Sequence, residues 1–281
     1  MGLQHDLGAR MVQFARPNYG EQLRFAGAGL PEPLRMIVGT SRGRVRCLRY
    51  PGSRAGRYLH LHGGAFMMRR PEIDDFWARF VVATTGLEVV VPDYDVAPQV
   101  RYPVAHEQAY DIAVQLSSDG PVVVGGFSAG GNLAASVALR SVERAEITLG
   151  GQLLGVPSLD VAEDVHAKCA RVPNAMISAR LLGLVRATYF KDASRRGERW
   201  ASPLLAPDLA GLPPALVVTA ERDVLRVEGD AYARRLSVAG VAVEHVVVPG
   251  VDHYFLNGAR PGQARAIMER MAAWLADCAG P

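Results

Sequence analysis

The sequence predicts an α/β fold: a mostly parallel central sheet with helices on both faces and a small helical cap. Three observations carry that expectation. From Arg44 onward, short runs rich in Val, Ile and Leu alternate with helix-length amphipathic segments, the pattern of strands joined by helical crossovers. One run ends in a glycine-flanked serine and opens directly into a helix-forming segment. At the other end, Ile267, Met271, Trp274, Leu275 and Cys278 recur at helical spacing and would lay one apolar face on a sheet. With 281 residues, 49% hydrophobic and 21% charged, the chain can fill one large core and is too apolar to be disordered.

In chain order, the predicted strands are 45–50 (VRCLRY), 58–62 (YLHLH), 87–94 (LEVVVPDY), 121–127 (PVVVGGF), 147–156 (ITLGGQLLGV), 215–220 (ALVVTA) and 243–248 (VEHVVV), with helices between them. Two stretches break the alternation. Residues 1–30 precede the sheet in a weakly helical pattern dotted with Phe14, Tyr19 and Phe25, and residues 158–200 separate two strands by more than a crossover needs. Both are expected to cap the C-terminal ends of the strands, where ligands bind in open α/β sheets. The expected organisation is therefore an N-terminal cap segment 1–30, core 31–157, cap insertion 158–200 and core 201–281. The uncharged run from Gly120 to Leu139 has the length of a membrane span, but Pro121 and its five glycines make it a strand, a turn and a helix.

Net charge is +3, and the basic residues, of which only Lys168 and Lys191 are lysines, scatter among 28 carboxylates without forming a block. No nucleic-acid footprint is visible. Cys47, Cys169 and Cys278 are odd in number and far apart, against a disulfide framework or a zinc site, so no metal or cofactor is expected. The opening MGLQHDLGAR carries Asp6 and no apolar stretch of a secretion signal, which predicts a cytoplasmic protein.

Gly126-Phe127-Ser128-Ala129-Gly130 fits the Gly-x-Ser-x-Gly pattern, which this composition would produce by chance about 0.13 times. Its position between a strand and a helix adds weight, because a sharp turn there projects Ser128 clear of the sheet. His62-Gly63-Gly64-Ala65 ends another strand and resembles a loop whose backbone amides receive a developing oxyanion. In that reading His62 braces the loop, and Gly63, Gly64 and Ala129 are the donors. A serine alcohol needs a base, and the base an acid to fix its tautomer. Of seven histidines, His253 sits in the loop after the last strand, while His60 and His245 fall in strands, His106 and His166 in helical segments and His5 near the terminus. Asp223 directly follows the strand ALVVTA, with Asp252 and Glu221 as weaker candidates for the acid. The chain order Ser128, Asp223, His253 is that of α/β-hydrolases.

HGGAF, GFSAGGN, SPLLAPDLAGLPPALVVTAERDVLR and VDHYF, in this order, resemble the hormone-sensitive-lipase-like esterases, the bacterial family IV branch of the α/β-hydrolases, and VVPDYDVAPQVRYP is similar to a further family stretch. The resemblance spans residues 35–281. It implies the α/β-hydrolase fold, with Ser128 as nucleophile, His253 as base, Asp223 as orienting acid and Gly63, Gly64 and Ala129 as oxyanion hole. Departures are Phe127, where the main branches carry an acidic residue or Thr, Ala65 for the third glycine, and the continuation Met67-Met68-Arg69-Arg70.

The expected activity is hydrolysis of short- to medium-chain carboxylic esters through an acyl-enzyme. Amidase, formamidase or acyl-transfer chemistry on the same residues is the alternative, and a receptor role is disfavoured because no catalytic member is missing. Met67, Phe127, Tyr189 and Phe255 are the predicted pocket wall, with Met68, Met176, Phe190, Trp200, Phe14 and Phe25 as further apolar candidates. The expected partners are a small-molecule ester and, through the apolar final strand and helix, a second copy in a homodimer; no membrane span is expected.

Overall fold

A computed structural model describes residues 2–14 and 21–280. Its elements in chain order are α1 (Gly2–Phe14), β1 (Leu34–Thr40), β2 (Gly43–Tyr50), β3 (Arg57–Leu61), α2 (Asp75–Thr85), β4 (Glu88–Pro92), α3 (Val104–Ser117), β5 (Val122–Phe127), α4 (Ala129–Arg144), β6 (Leu149–Gly155), α5 (Val165–Ala170), α6 (Ala179–Thr188), β7 (Ala215–Ala220), α7 (Arg226–Val238), β8 (Val243–Val248), α8 (Phe255–Gly258) and α9 (Pro261–Cys278). The strands form one eight-stranded sheet in the order β1-β2-β4-β3-β5-β6-β7-β8. β1, β2 and β4 pair antiparallel, and every pair from β4–β3 through β7–β8 is parallel. The central strands β4, β5 and β7 are buried along their whole length, as continuous Val and Leu runs in a sheet covered on both faces must be.

Two apolar cores result, one on each face. One packs α3 and α4 through Ala109, Tyr110, Leu133 and Val137 against Leu59, Val90 and Val124, while the other seats Trp77, Phe80, Met268, Met271 and Leu275 of α2 and α9 on Tyr58, Val89 and Val123. Each such fully buried side chain contributes about 1.5–3 kcal/mol. The expected period of α9 holds at Met271 and Leu275, which are buried, whereas Ile267, Trp274 and Cys278 pack only at the margin.

The sheet begins earlier than the sequence reading placed it, because β1 was not anticipated. Only Val38 of that strand is buried, so its alternation is too weak to mark a half-buried strand. It is formed instead through its hairpin: Thr40 pairs with Gly43 around the two-residue loop Ser41-Arg42, and Thr40 Oγ1 donates to Gly43 O at 2.6 Å.

The N-terminal segment and the insertion after β6 meet one another. α1 lies against α6, with Gly8 facing Leu184, and α5 packs on α6. Two N-caps start the inserted helices, Asp164 accepting from the amides of His166 and Ala167 before α5 and Ser178 accepting from Leu181 N before α6. Phe14 and Phe25, expected to help line a pocket from the N-terminal segment, do not: Phe14 is 78% exposed and Phe25 packs on the core beside α2. Tyr19 lies outside the described residues. Among the described residues, no helix is long and apolar enough to cross a membrane.

Candidate active site

Ser128 occupies the turn between β5 and α4 with φ 56° and ψ −116°, a conformation that L residues rarely hold. Local bonds over-determine it: Ser128 N donates to Gly155 O at 2.9 Å, and its carbonyl accepts from Asn132 N at 3.2 Å and Ser158 N at 3.3 Å. The flanking glycines are required by close approach. A Cβ on Gly126 would lie 2.3 Å from Leu61 O, and one on Gly130 1.8 Å from the same oxygen, so α4 starts directly against the end of β3.

His253 and Asp223 arrive from the loops after β8 and β7. His253 Nε2 lies 2.8 Å from Ser128 Oγ, and its Nδ1 lies 2.8 Å from Asp223 Oδ2. Asp223 is fully buried, and its second oxygen accepts from Leu225 N at 3.0 Å, which fixes the carboxylate plane. Burial pushes the His253 imidazole toward its neutral form, but the charge and hydrogen bond of Asp223, helped by Asp252 and Glu228, outweigh it and hold its proton affinity above that of an ordinary histidine. The two weaker candidates for the acid turn out to brace loops: Asp252 accepts from its neighbour's amide, His253 N, and from Met176 N of the cap, and Glu221 accepts from Gly250 N.

The loop after β3 faces this triplet. His62 Nδ1 lies 2.7 Å from Gly63 O, Tyr94 Oη donates to His62 O at 2.7 Å, and the His62 and Tyr94 rings stack 4.3 Å apart. Burial pushes the His62 pKa down, so the ring is a neutral brace that donates from Nδ1. Gly64 has φ +126°, and a Cβ there would sit 2.6 Å from Met68 Cβ. Ala65 and Phe66 also carry positive φ, 54° and 56°. None of the Gly63, Gly64 and Ala129 amides has a backbone acceptor among the described residues. Gly63, Gly64 and Ser128 line one cavity and Ser128 and Ala129 a second, so all three residues border the space beside the serine.

The first of these cavities encloses about 460 Å³ and is bounded by Met68, Phe76, Phe127, His253, Phe255 and Leu256; the second encloses about 40 Å³ between Ala65, Phe66, Ala129, Leu182 and Val185. Of the residues predicted to line a pocket, Phe127 and Phe255 lie on the wall of the larger cavity, in an edge-to-face pair 5.6 Å apart. Met67 and Tyr189 do not. Met67 is fully buried in the core below the loop, and its neighbour Met68 takes the wall position. Tyr189 is fully buried too; its hydroxyl accepts from Ala105 N at 3.1 Å and lies 3.0 Å from His106 Nδ1, and its ring stacks on Phe66. His106 itself meets Asn132 Oδ1 at 2.9 Å, and burial pushes its pKa down to about 3, which makes it a neutral structural histidine. Phe190 joins that aromatic cluster, Trp200 covers Arg140, and Met176 is 47% exposed.

One feature of the site escaped sequence reasoning. Lys168 of α5 reaches Glu228 of α7 at 2.8 Å, and both side chains are almost fully buried, 4% and 3% exposed. The ammonium also donates to Asp160 O, and Asp160 N donates to Glu228 Oε2. This pair pins the cap insertion to the core next to the smaller cavity, which Lys168 lines. Nothing in a lone lysine sixty positions from a glutamate signals it. Burial pushes the Glu228 carboxyl up to about 7 against the pull of Lys168. Lys168→Met removes that pull and raises the carboxyl further, so near pH 8 the buried Glu228 must take up a proton or stand as an unpaired anion, and the fold should lose about 3–5 kcal/mol. The loss should shrink near pH 5.5, where that carboxyl takes a proton. Urea unfolding midpoints at the two pH values check this, and an equal loss at both would refute it.

A family model described as alpha/beta hydrolase fold matches residues 58–257. An arylesterase of Saccharolobus solfataricus is 32% identical over 223 residues, 76% of this chain and 72% of that protein. An ethyl acetate hydrolase of Pseudomonas putida is 31% identical over 224 residues, 74% of this chain and 68% of that protein. Among solved structures, an esterase of Pyrobaculum calidifontis superposes with a TM-score of 0.84 at 29% identity, covering 99% of this chain and 93% of that one.

Proposed function

Because the chain belongs to the α/β-hydrolase family, in its hormone-sensitive-lipase-like branch, we propose that it is a serine carboxylesterase in which Ser128, His253 and Asp223 form the catalytic triad and the Gly63, Gly64 and Ala129 amides the oxyanion hole. The observation that carries this reading is the unbroken run of two 2.8 Å contacts from Asp223 through His253 to Ser128 Oγ. Ser128 Oγ attacks the ester carbonyl while His253 Nε2 takes its proton, and Asp223 stabilises the imidazolium. The three amides receive the oxyanion, each such donor being worth about 10²- to 10³-fold in rate. His253 then returns the proton to the leaving alcohol, and a water activated by the same nitrogen frees the acid.

Proton delivery orients the substrate. The leaving oxygen must meet His253 Nε2, and His253 lines the larger cavity and not the smaller, so the alcohol half occupies about 460 Å³ and the acyl half the adjoining 40 Å³, which Ser128 also lines. At about 10–15 Å³ for each water-sized group, the smaller space takes roughly three. Acetyl to butyryl esters fit it. Across a p-nitrophenyl ester series, kcat/KM should peak at acetate to butyrate and fall at least tenfold by octanoate; a maximum at octanoate would overturn the orientation, and no turnover of any member, with no fluorophosphonate labelling of Ser128, would overturn the esterase reading.

A further inference from the structure

The larger cavity holds a charge that ester hydrolysis does not use. Asp74, at the start of α2, lines it and is only 8% exposed. Its Oδ2 lies 2.9 Å from Nε2 of the fully buried His60, whose Nδ1 lies 2.9 Å from Tyr58 Oη; Trp77 Nε1 donates to that hydroxyl at 3.5 Å. One placement of the protons gives every donor along this chain an acceptor. Trp77 can only donate, so the Tyr58 proton finds its acceptor in His60 Nδ1, and burial pushes the phenol's pKa up and keeps that proton on. In this placement Nε2 bears the N–H of a neutral imidazole, aimed at Asp74. The network then supplies Asp74 with a donor and no positive charge.

The other carboxylate oxygen, Oδ1, has no hydrogen-bond partner among the described residues. The cavity Asp74 lines is largely apolar, with Ile73, Phe76, Phe127 and Leu256 beside the polar Tyr254 and Asn257, and no Lys or Arg lines it among the described residues. Two nearby arginines are engaged elsewhere, Arg79 with Asp75 and Glu32 and Arg69 with Asp93 and Asp95. A desolvated carboxylate with one oxygen open to an apolar cavity is costly until a cationic donor reaches it. We propose that Asp74 is a specificity-determining residue that selects esters whose alcohol half ends in a protonated amine. His60 and Tyr58 are positioning residues that hold the carboxylate without neutralising it. The inference rests on the esterase reading and on the alcohol half lying in the larger cavity.

The test compares ω-aminoalkyl acetates of four to six methylenes with n-alkyl acetates of equal heavy-atom count, followed by pH-stat. For the best chain length, wild type should show a kcat/KM several-fold higher for the amine than for its alkyl isostere. Asp74→Asn keeps an oxygen for His60 but removes the charge, and should cut that ratio at least tenfold. A wild-type preference for the alkyl ester, or a ratio unmoved by D74N, overturns the proposal. The wild-type comparison stands even if D74N fails to fold. If neither ester is cleaved, the esterase reading is what fails; titration calorimetry with the parent ω-amino alcohol and its n-alkanol isostere then decides the cavity's preference, equal affinity overturning it.

Discussion

Ser128→Ala should lower kcat on short acyl esters by at least about 10⁴-fold, because loss of a triad nucleophile leaves only the catalysis supplied by oriented amides and substrate binding. The fold should survive. The strain at φ 56° belongs to the turn and not to the hydroxyl, and the alanine backbone keeps the same bonds, its N–H donating to Gly155 O and its carbonyl accepting from Asn132 N and Ser158 N. Unfolding free energy should therefore stay within about 0.5 kcal/mol of wild type. Fluorophosphonate labelling followed by intact-mass analysis should add one adduct to wild type and none to the variant. Retention of more than a hundredth of wild-type turnover by a folded S128A protein would sink the assignment.

Much of this site was legible in the sequence because its chemistry is tied to strand ends. The runs around Leu59, Val90, Val124 and Val217 are buried on both faces and read as strands from composition alone, and a parallel sheet places whatever follows each of them at one edge. Gly63, Ser128 and Asp223 were found in that way, and His253 by its place after β8. What could not be read is where adjacent side chains point. Met67 and Met68 are chemically alike, yet the loop geometry set by the positive φ of Ala65 and Phe66 sends one into the core and the other to the cavity. Tyr189 looked like a wall residue because it is aromatic and falls in an insertion; partners more than eighty positions away, Ala105 and His106, bury it. Glu228–Lys168, sixty positions apart, and Asp74–His60, fourteen apart, are likewise polar pairings between different elements, which leave no periodic trace. β1 escaped for the opposite reason: its hydrogen bonds define it, while its side chains are mostly exposed.

Asp223→Asn tests the electrostatic half of the triad and should cost about 10⁴-fold in kcat. The structure gives the reason in terms of one hydrogen bond. Asp223 Oδ1 accepts from Leu225 N, so an asparagine keeps its carbonyl oxygen there and turns its NH₂ toward His253 Nδ1. That nitrogen must then accept, the imidazole proton moves to Nε2, and Nε2 can no longer take the proton of Ser128 Oγ. The pH dependence should shift as well. The base works only when neutral, so wild-type kcat/KM falls as pH drops through the His253 pKa, which Asp223 holds above the ordinary histidine value. Without that charge, burial is opposed only by the smaller effects of Asp252 and Glu228, and the ring's pKa falls. The acid limb of the variant's residual activity should move to lower pH, although its maximum is far smaller. Profiles from about pH 5 to pH 9, with circular dichroism to verify folding, read both effects. A variant that loses less than tenfold, or whose acid limb stays where it is in wild type, would show that Asp223 neither fixes the tautomer nor holds up the proton affinity of His253.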